Sequence, residues 1–241
     1  MDLYLTDTIV IKEGKLYHDN KLVKRHNWHL KLEELGWSKL HKSWISKLNK
    51  IHNPYPTNSL FGSLECGDDG DCLFHCIATA LNSSDTSCTT QDYPYDATTI
   101  RKLLADSISQ EQYDHIITCY RSMKDVDDFD ESWDPYEVDT LAKFKEQVQV
   151  SGHGYWGDHL MIELVTQVCH INLFILTQDE LEGVYDTYPL ALRYHKDNAT
   201  LVLLYQNNNH FKLVGHFDDI MNTYFTHESL PLEIKRLFNV K

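Results

Sequence analysis

The segment Gly67-Asp68-Asp69-Gly70-Asp71-Cys72-Leu73-Phe74-His75 delivers one cysteine from a glycine-punctuated acidic turn into an apolar pattern. Helical spacing of the residues that follow puts Cys72 in a first turn, where unpaired N–H groups and the helix dipole stabilise a thiolate. That environment is expected to lower the thiol pKa and make Cys72 a nucleophile. Gly70 permits a tight bend, so the backbone amides of Gly70, Asp71 and Cys72 can converge on a developing oxyanion. A thiolate beside an amide cradle is half of an acyl-transfer site.

The other half is an imidazole, near in space and not necessarily in sequence. His210 is the leading candidate among 14 histidines. It opens an apolar-alternating run after an asparagine-rich turn. Strand periodicity puts it on the face shared by Asn208 and Lys212, opposite Phe211 and Leu213. Cys88, Cys119 and Cys169 read as inert buried thiols, the commonest fate of cysteine. Cys66, Cys72, His75 and Cys76 match no common zinc spacing and lack a second ligand pair.

These residues need a scaffold. Leu73 to Leu81 suits a buried helix beginning near Cys72. Ile100, Leu103, Leu104 and Ile108 mark a second, Leu141 to Val148 a third, and His159 to His170 a fourth with one apolar face. Ile171 to Leu176 has the length of a strand. Leu201 to Tyr205 and His210 to Val214 read as a hairpin. Strands interspersed with helices predict an α/β or α+β domain, a small central sheet flanked by helices. Leu40, Trp44 and Leu48 share a helical face in a basic N-terminal stretch. Asn53 to Ser59 reads as a linker, and Pro231 to Phe238 as a docking helix. The acidic run from Asp125 to Asp139 reads as a solvated loop.

The 241 residues carry 22 Lys+Arg against 36 Asp+Glu, a net charge of −14. Residues 1–52 hold ten basic and six acidic side chains, and residues 53–241 hold twelve and thirty. This balance argues against nucleic acid as the main partner and favours a cationic one. No run approaches the roughly 20 apolar residues of a membrane span. The first residues lack the basic start and apolar stretch of a secretion signal. Six cysteines are too sparse for a disulfide scaffold at this length, so a reducing, cytoplasmic setting is expected.

Asp69-Gly70-Asp71-Cys72-Leu73-Phe74 resembles the Asp-Gly-Asn-Cys-Leu-Phe signature of the ovarian-tumour (OTU) family of cysteine deubiquitinases. Tyr155-Trp156-Gly157-Asp158-His159, leading through Glu163 into the strand at Ile171, resembles that family's Trp-Gly segment. His210-Phe211-Lys212-Leu213-Val214 resembles its terminal histidine strand. The resemblance implies a papain-like OTU fold over 59–217, with a basic, partly helical extension over 1–58 and a C-terminal helical extension over 218–241. It implies a thiol isopeptidase acting as a monomer on ubiquitin, polyubiquitin or a ubiquitin-like modifier, with no metal or organic cofactor. Cys72 would be the nucleophile, His210 the base, and Asp69 a member of the active site through its loop. The motif dialect also resembles OTU proteins encoded by large DNA viruses.

Three departures from the family pattern matter. Asp71 stands where the family usually has Asn, and its charge is expected to raise the Cys72 pKa. His75 stands where Arg is frequent. Lys212 occupies the place where many members carry the Asp or Asn that orients the histidine, and a lysine cannot accept a hydrogen bond. Asn208, an upstream acid such as Glu33 or Glu34, or a simple dyad are the alternatives. On this reading Lys212→Asp keeps or raises activity. The competing function is a catalytically weak ubiquitin-binding module on the same fold.

Overall fold

The computed structural model describes residues 2–52, 59–67, 69–84, 95–129, 132–181, 184–186, 188–207 and 209–241. The linker at 53–58, Cys88 and Asn208 lie outside the described residues.

The chain begins with four short antiparallel strands, β1 (Leu3–Tyr4), β2 (Ile9–Lys12), β3 (Lys15–His18) and β4 (Lys21–Leu22), paired in that order. Two-residue turns join β2 to β3 at Glu13-Gly14 and β3 to β4 at Asp19-Asn20, all four residues at positive φ. Such turns match the twist of the strands they connect. The helical pattern expected for the N-terminal stretch therefore holds only from Trp28 onward, and a small sheet precedes it. Next come α1 (Trp28–Lys31), a 3-10 turn at Glu33–Leu35, β5 (Trp37–Lys39) and α2 (Lys42–His52). Leu40, Trp44 and Leu48 are buried, as their spacing predicts.

Then follow β6 (Phe61–Leu64), α3 (Cys72–Ser84), α4 (Ala97–Ser107), α5 (Gln110–Asp125), α6 (Leu141–Gln149) and α7 (His159–Val168). The last elements are β7 (Ile171–Leu181), β8 (Val184–Asp186), β9 (Pro189–Ala191), β10 (Ala199–Gln206), β11 (His210–Asp218), β12 (Ile220–Asn222) and α8 (Leu232–Leu237). The helices predicted near Cys72, around Ile100 to Ile108, over Leu141 to Val148 and from His159 are present as α3, α4, α6 and α7, and α5 is a further helix that apolar spacing does not announce. Ser109 caps it, accepting from the Gln112 N–H while the Gln112 side chain reaches back to the Ser109 amide.

The main sheet runs β5-β6-β11-β10-β7-β8, with β9 and β12 paired to β7 and β11 off that path. β10 and β7 are parallel and the other pairs antiparallel. Period-two alternation divides the core between its faces. Leu173, Ile175, Leu201, Leu203 and Leu213 pack with apolar residues of α3 to α7. Phe174, Leu176, Val202, Leu204 and Val214 pack with residues of α2 and α8. The sheet is therefore mixed and flanked by helices on both faces. β5 makes the N-terminal segment part of this sheet, because Trp37–Lys39 pairs with Gly62–Leu64. Trp28 pins that junction: its indole N–H donates to the Ser59 carbonyl at 3.1 Å, and its ring stacks on Phe217. Among the described residues no helix is long and apolar enough to cross a membrane.

Candidate active site

Cys72 is the first residue of α3, and His210 the first of β11. β11 lies between β6 and β10 near the middle of the sheet, and the β10 ladder, which reaches Gln206↔His210, fixes where His210 starts. α3 packs against that strand, with Cys76 Sγ 3.6 Å from the Phe211 carbonyl oxygen. The Phe211 N–H donates to Cys72 Sγ at 3.4 Å, which ties the sulfur to the residue beside His210. Both side chains line a cavity of about 400 Å³ whose walls include His153, Trp156, Asp158 and Tyr205. Tyr205 stacks on Phe211 with ring centres 4.5 Å apart, and both rings line the cavity.

The cysteine turn is built around a buried charge. Asp71 is 2% exposed and Arg101, from α4, is fully buried. They form a two-pronged ion pair, with Arg101 Nε 2.7 Å from Asp71 Oδ1 and Nη2 on the same oxygen. The other carboxylate oxygen accepts from the Ser151 hydroxyl and, at 3.1 Å, from the Gly152 N–H. Arg101 also donates to the carbonyls of Val148 at 3.0 Å and Tyr155 at 2.8 Å. One guanidinium thus joins the cysteine turn to the 148–155 loop. Burial pushes the Asp71 carboxyl up, but the Ser151 hydroxyl and the guanidinium more than offset it and leave it below its usual value. Gly70, at φ +90°, lies against the same loop; a Cβ there would fall 2.5 Å from the Gly152 carbonyl carbon. Gly157 does the corresponding job for the Trp-Gly segment, since a Cβ would meet Leu73 at 2.3 Å.

Several expectations change. The Cys72 thiol is pushed up, not down: burial dominates, and the N–H bond from Phe211 recovers only part of it. Asp71 is not the charge that burdens it, being neutralised by Arg101; Glu65 is the carboxylate that raises it. The Asp71 amide is engaged, donating to Asp69 Oδ1 at 3.4 Å, so of the three amides expected to face an oxyanion this one is diverted. Asp69 itself is exposed and braces the turn, with His75 Nε2 3.6 Å from its carboxylate. Asp69, Asp71 and His75 bring polar atoms within 4.8 Å of one another. Both oxygens of Asp71 are already committed, so the cluster is an ion-paired turn and not a ready metal cradle.

The histidine's partner is a residue that sequence reasoning missed. Glu65 Oε1 lies 2.5 Å from His210 Nε2, and Glu65 Oε2 lies 3.2 Å from Lys212 Nζ. Glu33 and Glu34 do not serve: they sit in the 3-10 turn, where Glu34 accepts from Thr6 at 2.7 Å and from Thr8. The signal for Glu65 is carried only by register. The β6–β11 ladder ends at Leu64↔Leu213, and the next rung faces Glu65 with Lys212. A four-residue strand containing Gly62 gives little propensity from which to predict that pairing.

A protein-family model for OTU-like cysteine proteases matches residues 67–217. No curated protein sequence matches the chain. Among solved structures, the Hazara virus OTU bound to ubiquitin is similar at 13% identity, covering 66% of this chain and 82% of that one, with a TM-score of 0.39. The OTU protease domain of Dera Ghazi Khan virus is similar at 15% identity, covering 66% and 82%, with a TM-score of 0.40. An OTU deubiquitinase from Wolbachia pipientis wMel bound to ubiquitin is similar at 12% identity, covering 65% and 96%, with a TM-score of 0.43. With well over half of its length matched by the family model, and with that match running from the cysteine turn through the histidine strand, the chain belongs to the OTU-like cysteine protease family.

Proposed function

We propose that this protein is a deubiquitinase, a thiol isopeptidase that hydrolyses the bond between the terminal glycine of ubiquitin and a lysine amine or another ubiquitin. Cys72 is the nucleophile and His210 the general base. Because burial holds the thiol protonated, activation is a proton transfer from Sγ to the ring. Nε2 is occupied by Glu65, which leaves Nδ1 to receive that proton. The sulfur then attacks the glycine carbonyl carbon, and the amides of Gly70 and Cys72 are the donors offered to the resulting oxyanion. The imidazolium passes its proton to the departing lysine nitrogen, leaving a thioester on Cys72. Water, deprotonated by His210, releases the ubiquitin carboxylate and restores the thiol.

The observation that carries this reading is the meeting of Cys72 and His210 on one cavity in a chain of this family. The competing reading, a weak ubiquitin-binding module, drew on Lys212 and Asp71. Against that reading, both charges have partners: Lys212 pairs with Glu65, and Asp71 with Arg101.

A ubiquitin derivative bearing an electrophile at its C-terminus tests the proposal. Wild type should form a covalent adduct and Cys72→Ala none, while His210→Ala should lose at least about a thousandfold in turnover of di-ubiquitin. Absence of an adduct with wild type, or undiminished turnover by His210→Ala, would overturn it.

A further inference from the structure

We infer that Glu65 and Lys212 act as a positioning pair for His210: Glu65, reaching across from the end of β6, orients the ring, and Lys212 holds Glu65 in place. This rests on His210 being the base proposed above. In this chain the residue two positions after the histidine is a cation, so the orienting carboxylate comes from the neighbouring strand.

Three observations combine. His210 and Lys212 are two apart on β11 and so point to the same face of the sheet. The antiparallel register that pairs Leu64 with Leu213 brings Glu65 opposite Lys212 at the next step. The carboxylate then divides its oxygens, Oε1 at 2.5 Å from the His210 ring and Oε2 at 3.2 Å from the lysine ammonium. A glutamate at an open strand end has several accessible rotamers. Bonding both oxygens, one to each partner, fixes the plane of the carboxylate and with it the ring that it holds. The same carboxylate places its two oxygens between the ring and the lysine ammonium, so ring, carboxylate and ammonium form one connected array beside the sulfur's cavity.

The arrangement reverses the expectation for Lys212→Asp drawn from family resemblance. An aspartate there would stand against Glu65, like charge on like charge. It should serve only when Glu65 is removed.

The test uses the full chain and two readouts at pH 7. One is the rate at which iodoacetamide alkylates Cys72, located by mass spectrometry, which needs no ubiquitin. The other is kcat and KM on a fluorogenic ubiquitin C-terminal amide. Removing Glu65 also removes a charge that raises the Cys72 thiol, but that charge is a lesser cause than burial. Loss of the oriented ring outweighs it, so Glu65→Ala should slow alkylation and lower kcat about tenfold or more, with KM changed less than about twofold. Lys212→Met should give a smaller loss, about three- to tenfold, and Lys212→Asp a loss at least as large. The double variant Glu65→Ala, Lys212→Asp should recover about fivefold over Glu65→Ala, a rescue that a merely structural role would not produce. Wild-type alkylation in Glu65→Ala, full activity in Lys212→Asp alone, or no recovery in the double variant would each overturn the inference. The predicted alkylation series in a protein inert toward ubiquitin would instead overturn the substrate reading and uphold the positioning pair.

Discussion

A carboxylate as deeply buried as Asp71 needs a counter-charge, and Arg101 supplies it at the cost of being buried itself. Removing one partner strands the other. Asp71→Asn, although it restores the residue usual in the family motif, should therefore destabilise this protein by about 3–5 kcal/mol at pH 7. The pH dependence has a definite sign. The folded carboxyl lies below its usual value, so its stabilisation is present above about pH 4 and is lost as pH falls through the folded value. Asp71→Asn should accordingly show a shallower loss of stability on acidification than wild type. Denaturant unfolding at pH 7 and pH 3 measures both effects; equal stability at pH 7 would contradict the account. The same residue shows what the sequence discloses about a site. Cys72 and His210, which line one cavity, are singled out in the sequence by local turn chemistry and by the order of the family motifs. The substitution at 71 was legible as a departure but not as half of an ion pair, since Arg101 lies thirty residues away on another helix. Glu65 was invisible for a related reason, its role being set by a cross-strand register that no local pattern encodes.

Elements with strong periodicity were foreseen, and those that depend on weak or non-local signals were not. The apolar stripes of α3, α4, α6 and α7 and the hairpin β10–β11 follow from spacing alone. α5 is largely polar and buries Tyr113, Ile116, Ile117 and Tyr120, a stripe that its many charged and amide residues obscure. The strands β1 to β4 are two to four residues long, and only the Glu13-Gly14 and Asp19-Asn20 turns announce them. The N-terminal segment nevertheless buttresses the site. β6, which leads into Glu65, is held on one side by β11 and on the other by β5, and Trp28 covers Gly62 so closely that a Cβ there would lie 2.5 Å from its ring. Trp28→Ala should cost about 3–5 kcal/mol. It should also raise amide hydrogen exchange in β5 and β6 well before α5, which belongs to a different core cluster. Uniform exchange across β6 and α5 would mean that the N-terminal segment does not support the sheet edge in this way.

At the scale of the whole molecule the sheet separates two cores, and the site opens where β11, α3 and the 148–158 segment meet. Charge is distributed against that frame unevenly. The basic side chains concentrate in residues 1–52, while the remainder of the chain, which holds the cavity, carries thirty acidic side chains to twelve basic. Surface pairing offsets part of this excess: Asp134 pairs with Lys124 at 2.9 Å and Asp139 with Lys143 at 2.8 Å, both exposed enough for salt to weaken them. A field of this sign draws in a cationic chain segment, and the arginine-bearing tail of ubiquitin is such a segment. Attraction of this kind acts on encounter and not on the bond-breaking step, because the reacting sulfur and ring are within the cavity while the field is spread over the surface. Raising ionic strength shortens the screening length from about 10 Å at 0.1 M to about 3 Å at 1 M. The turnover number should then stay nearly constant while kcat/KM on di-ubiquitin falls about three- to tenfold across that range. Neutralising surface lysines of residues 1–52 should weaken neither trend, since they oppose the field. A kcat/KM independent of salt, or one that rises with it, would show that the acidic surface plays no part in capturing the substrate, and that shape alone brings the tail to Cys72.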